Sequence, residues 1–193
     1  MTERADLRTA LARLGACANS LAWATSYGTE WERAVEACPD RRWLTWLACE
    51  LIRRDHVRIE VIVLCACACA RTALRHVPTG EVRPLAAIET AERWARGEAT
   101  PDEVQTARDD AGAARDDAED AGDDAAFYAA DAAFAAADAA RSAARGNEAD
   151  ASVHESEAVA NAAVRERVEG ELFAITRREL GPALLAGLAG GGL

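Results

Sequence analysis

The chain has 193 residues, half of them apolar, with 33 acidic side chains against 22 basic ones and a net charge of −11. That length and apolar fraction suit a globular fold with a sizeable core rather than a disordered chain. There is no lysine, which excludes a P-loop lysine, a Schiff-base lysine and a lysine general base. The acidic balance argues against nucleic acid as a ligand, because that affinity comes from basic groups on phosphate.

In chain order, helical signals dominate. Leu7, Leu11, Leu14, Ala18 and Leu21 recur at the period of one helix face. Thr29-Glu30-Trp31-Glu32 reads as a capping box opening a short helix that ends before Pro39. Asp40 is expected to cap a helix bearing Trp43, Leu44, Leu47 and Leu51, and Asp55 to cap the next, an apolar run that stops before Pro78. Within that run, the ten residues from Val61 to Ala70 are closed by Glu60 and Arg71. This is too short to span a bilayer and suits a buried helix. With no signal-peptide pattern at the N-terminus, the expectation is a cytoplasmic protein, away from membranes, with reduced thiols. Cys65, Cys67 and Cys69 form no CxxC pair, and on a helix Cys67 points away from the other two. They read as small core hydrophobes, not metal ligands.

A helix from about Pro84 to Arg96 should end at Gly97. Thr100-Pro101-Asp102-Glu103 is the clearest start signal: Thr100 fits the N-cap, Pro101 the first helical position and Glu103 the return arm of a capping box. The helix it opens is predicted over about 101–145, running towards Gly146 with weak points at Gly112 and Gly122. A last helix carries Val164, Val168, Leu172 and Ile175 on one face, and residues 181–193 read as a glycine-rich apolar tail that frays. The expected architecture is all-α: a single-domain bundle of about six to seven helices over residues 1–180, with one long Ala/Asp-rich helix.

That helix carries the most informative pattern. Residues 107–141 break into five blocks of seven: ARDDAGA, ARDDAED, AGDDAAF, YAADAAF and AAADAAR. Asp110, Asp117, Asp124, Asp131 and Asp138 occupy one position of the block, and an alanine follows each. From Asp102 to Asp138 there are twelve acidic residues and two basic ones, Arg108 and Arg115, a net charge of −10. On a helical wheel the alanines make a stripe that lets a neighbouring helix approach, and the aspartates make a separate arc. Such an arc is a solvated face or the footprint of a basic protein partner. The candidate partner-binding residues are Asp109, Asp110, Asp116, Asp117, Asp120, Asp123, Asp124 and Asp131, with Phe127 and Phe134 as apolar anchors.

Catalytic signals are sparse. His56, His76 and His154 are scattered, and there is no HExxH, GxSxG or GxGxxG. The chain reads as a non-enzyme without cofactor or metal. One weak alternative is a Mg²⁺-dependent all-α nucleotide pyrophosphohydrolase, with Glu89 and Glu92 facing Asp116, Glu119, Asp120 and Asp123. In a chain this rich in acids, such spacing arises readily by chance.

Three stretches carry a family resemblance: CPDRRWLTWLA at 38–48, VLCACACAR at 63–71 and RPLAAIETAERWARGE at 83–98, the last leading into an alanine-rich helix. Together they resemble a family of immunity proteins of bacterial polymorphic toxin systems, over roughly residues 10–145. The resemblance implies an all-α fold and neutralisation of a cognate protein toxin, with no catalytic residues. The tryptophans of these stretches, Trp43, Trp46 and Trp94, read as core. The leading expectation is an inhibitor that binds its toxin through the acidic helix. The alternatives are an acidic decoy that mimics nucleic-acid charge, the pyrophosphohydrolase, and a homo-oligomer packed through its alanine stripe.

Overall fold

The structure is a computed structural model that describes residues 5–147, Ala151 and 169–190. Among these residues there are nine α-helices, one 3₁₀ turn and no strand. The count exceeds the six to seven expected because two predicted helices each divide at a left-handed glycine, Gly15 and Gly122. The chain forms two compact units, Met1–Arg58 with Thr176–Leu193, and Ile59–Ile175.

The first unit contains α1 (Leu7–Leu14), α2 (Ala18–Ala24), α3 (Trp31–Glu36), α4 (Arg41–Ile52) and the part of α9 (Glu169–Gly190) from Thr176 onward. Asp6 caps α1, and Gly15, at φ 87°, closes it. The predicted stripe therefore holds only for Leu7, Leu11 and Leu14; Ala18 is exposed on a separate helix. The expected capping box at Thr29 is not formed. Glu30 stands at the N-cap of α3 without a side-chain cap, and its N–H instead donates to the Tyr27 carbonyl at 2.8 Å. Asp40 caps α4 as predicted, accepting from the Arg42 N–H at 3.0 Å.

Asp55 caps nothing. It takes φ 59° in the turn that closes α4, and α5 begins only at Glu60. Trp31, Leu44, Leu47 and Leu51 are buried, whereas Trp43 and Trp46 are half-buried rather than core. Trp43 packs on Trp23, which also meets Tyr27, with ring centroids 5.6 and 5.2 Å apart.

α9 corrects the reading of the C-terminal segment. It continues through Gly181 and Pro182 to Gly190, and Leu180, Leu184 and Leu188 form a buried i, i+4, i+8 stripe. Residues 181–190 are thus packed helix, because the leucine period continues past the glycines. Arg177 donates to the Cys38 carbonyl at 2.7 Å in the same unit.

The second unit is built on α5 (Glu60–Ala73), a 3₁₀ turn (Leu74–His76), α6 (Arg83–Ala95), α7 (Pro101–Asp120) and α8 (Asp124–Ala144). Leu172 and Ile175 of α9 are buried, as their spacing predicts; Val164 and Val168 lie outside the described residues. Cys65, Cys67 and Cys69 are all buried, as read from the sequence, because α5 packs against both α6 and α8. Burial pushes the Cys67 thiol pKa up, and the thiol donates to the Ile88 carbonyl at 3.8 Å. Trp94 is half-buried, again short of core.

α6 ends in a Schellman motif. Gly97 takes φ 77°, its N–H reaches the Trp94 carbonyl, and the Glu98 N–H reaches Arg93. The capping box at Thr100 forms in both directions, and Arg93 pairs with Glu103 at 2.9 Å. α8 packs against α5, α6 and α7, so from Ala126 to Ala143 it is buried on nearly every side. Alanine suits most of these positions. It lets three helices approach at once and loses no side-chain entropy when buried.

An acidic face on the α7–α8 hairpin

The predicted helix over 101–145 is two helices. The break lies at Ala121–Asp123, where Gly122 takes φ 68° and Asp123 caps α8, accepting from the Ala125 and Ala126 N–H groups at 3.1 Å each. Left-handed backbone is cheap only for glycine, and aspartate is a preferred N-cap, so the dipeptide ends one helix and starts the next. The result is an antiparallel αα-hairpin.

Its register follows from the repeat. Arg108 meets Asp138 at 2.9 Å, Arg115 meets Asp131 at 3.3 Å, and Gly112 lies under the Phe134 ring. Each pair is equidistant from position 123, so the seven-residue spacing of the arginines on α7 matches that of the aspartates on α8. Arg141 also donates to Asp138. The Phe134 ring is held by both α7 guanidiniums, with Arg108 4.2 Å and Arg115 4.8 Å from its centroid. It packs on the buried cluster of Ala87, Ala111 and Ala137.

The candidate residues therefore separate into two sets. Asp109, Asp110, Asp116, Asp117 and Asp120 are exposed along α7, and Asp123 and Asp124 are exposed at the turn. Asp131 and Phe134 do not share that surface. Asp131 is half-buried against Arg115, and Phe134 is half-buried inside the hairpin, so neither stands as an exposed anchor. Phe127 is half-buried and meets Tyr128 edge-on at 5.3 Å.

Several exposed carboxylates are held in place. Asp117 pairs with Arg83 at 2.7 Å and Asp116 with Arg115 at 2.9 Å. The Gln105 amide, then the Arg108 guanidinium, hold the Asp109 carboxyl below its usual pKa. The backbone N–H and hydroxyl of Thr100, with the Arg93 guanidinium, lower the pKa of Glu103 in the same way. Such exposed pairs add little stability, about 0–1 kcal/mol each.

Sequence reasoning missed Asp138 as the buried member of the repeat and Arg108 and Arg115 as cross-hairpin partners. The signal was present: two arginines seven apart, mirrored about Gly122-Asp123 by two aspartates seven apart.

Gly112, expected to be a weak point, remains helical and buried. A β-carbon there would lie 3.3 and 3.4 Å from two Phe134 ring carbons. Gly112→Ala should therefore lower stability by roughly 0.5–1 kcal/mol, although the helix-propensity change alone favours alanine by about 1 kcal/mol. In a Phe134→Leu background the sign should reverse. Urea melts of the four proteins decide it, and a Gly112→Ala gain in the parent would show that the ring gives way freely.

In the alternative constellation Glu92 is engaged by Arg71 at 2.7 and 2.8 Å. Among the described residues no group of three or more His, Cys, Asp or Glu side chains could hold a metal ion. None of the described helices is long and apolar enough to cross a membrane.

Fold and site together define an all-helical protein that presents an anionic helical hairpin. Comparison with protein-family models, with curated proteins and with solved structures returns no match.

Proposed function

We propose that this chain is an inhibitor that binds a basic protein partner through the exposed acidic face of α7 and the hairpin turn. The observation that carries this reading is the segregation of charge. The aspartates of the first three repeat blocks point outward together, while those of the last two are neutralised inside the hairpin. A face of one sign on a braced helix steers association with an oppositely charged surface and costs little ordering on binding. The resemblance to immunity proteins extends the reading to a cognate toxin as the partner, blocked at a basic cleft. No catalytic step is assigned to the chain.

The test begins with retention of host proteins on the tagged chain at low salt, identified by mass spectrometry. One dominant basic protein, released by salt, is the expected result. A variant with Asp109, Asp110, Asp116 and Asp120 all changed to Asn leaves both helix caps and the buried ion pairs intact. It should keep its helical circular dichroism and lose affinity by roughly a hundredfold, at about 0.5–1 kcal/mol per rim charge. Undiminished binding or protection by that variant would sink the acidic-face reading. Retention of many unrelated nucleic-acid-binding proteins would point to the decoy instead.

A further inference from the structure

A pocket of about 180 Å³ opens in the second unit between the segment before α6 and the hairpin turn. Its walls are apolar: Pro78 and Pro84 on one side, Ala118 and Ala126 on the other. The polar side chains that line it are the carboxylates of Glu81, Asp117 and Asp123. Arg83 bridges Glu81 and Asp117, so three carboxylates against one guanidinium leave the rim net negative. The segment also carries Val82, 64 % exposed, and Leu85, 37 % exposed, the large apolar side chains most open to solvent among the described residues.

This pocket adjoins the acidic face, because Asp117 and Asp123 belong to both. An apolar cavity of roughly 150 Å³ holds a benzene-sized group, so the volume suits one side chain. Apolar walls favour an alkyl stem, and a net negative rim favours a cationic head and disfavours an anion. We infer that the pocket receives an arginine or lysine side chain of the partner protein, its stem between Pro84 and Ala126 and its charge at Asp123. This rests on the proposed inhibitor function and gives the otherwise sequence-tolerant acidic face one specific anchor point.

The probe is n-butylguanidinium, titrated into the full-length chain and followed through alanine methyl resonances, with n-butanol and pentanoate as controls. Saturable shifts at Ala118 and Ala126, stronger for butylguanidinium than for either control, are expected. Asp123→Ser keeps a capping oxygen and removes the charge; it should weaken the probe about two- to fivefold. Ala126→Leu, which fills the pocket, should abolish saturation. Shifts that stay linear and spread along α7, or equal binding of n-butanol, would overturn the pocket assignment. The two readings fail separately. A captured basic partner bound equally by parent, Asp123→Ser and Ala126→Leu chains removes the anchor and leaves the inhibitor; a saturable pocket with no partner does the reverse.

Discussion

Asp138→Ala is expected to destabilise the second unit by about 2–3 kcal/mol, whereas Asp110→Ala, at the same position of the seven-residue repeat, should change stability by less than about 0.5 kcal/mol. The Asp138 side chain is 6 % exposed and accepts from Arg108 and Arg141, which are 25 % and 22 % exposed. Removing the carboxylate takes this counter-charge from both guanidiniums, although Arg108 keeps its exposed pair with Asp109 at 2.8 Å. The loss of one partner from a fully buried pair costs about 3–5 kcal/mol; the partial solvation of both arginines reduces it here. Asp110 is exposed, and its removal relieves like-charge repulsion on α7. Urea denaturation of the two variants, read at equal m-values, makes the comparison. Equal losses at the two positions would show that the hairpin register is not what holds this unit together.

Gly187→Ala should lower the stability of the first unit by about 2 kcal/mol or more, against the roughly 1 kcal/mol that alanine gains over glycine in a helix. A β-carbon at Gly187 would stand 2.7 Å from Val57 Cγ2, 3.1 Å from the His56 carbonyl oxygen and 3.2 Å from Leu51 Cδ1. The valine methyl belongs to a stiff β-branched side chain and the carbonyl to backbone, so neither retreats cheaply. Gly181→Ala is the control. Beyond its chain neighbours its β-carbon would meet Val35 Cγ1 at 3.4 Å, an ordinary contact, while Pro182, next in the chain, disfavours a β-carbon in the α region, so its loss should be smaller than that of Gly187→Ala. Thermal melts of both variants would test this, and a Gly187→Ala protein as stable as the parent would mean that α9 can shift away from the α4 end.

These expectations mark the boundary of what sequence could supply. The caps at Asp40 and Thr100 and the Schellman stop at Gly97 were legible, since each satisfies backbone groups within a few residues of itself. The burial of Cys65, Cys67 and Cys69 was legible because an apolar run of that length must be covered. The acidic arc on α7 was legible because aspartates spaced by seven stay on one side of a helix. Gly112 and Gly122 looked alike in the sequence, yet one is a helical seat for Phe134 and the other a left-handed turn.

The difference between those glycines comes from contacts with distant parts of the chain, and so does the fate of the repeat. Its five equivalent aspartates, Asp110, Asp117, Asp124, Asp131 and Asp138, end as three exposed carboxylates, one half-buried and one buried. By itself the sequence determined an all-helical chain, its strongest caps, its buried cysteines and a concentration of negative charge over residues 102–138. The tertiary structure alone decided that this segment folds back on itself, which aspartates meet Arg108 and Arg115, and which remain outside for a partner. The reason is physical: caps and helix faces are set by neighbours within one or two turns, whereas burying a charge depends on which opposite charge is brought to it from 30 residues away.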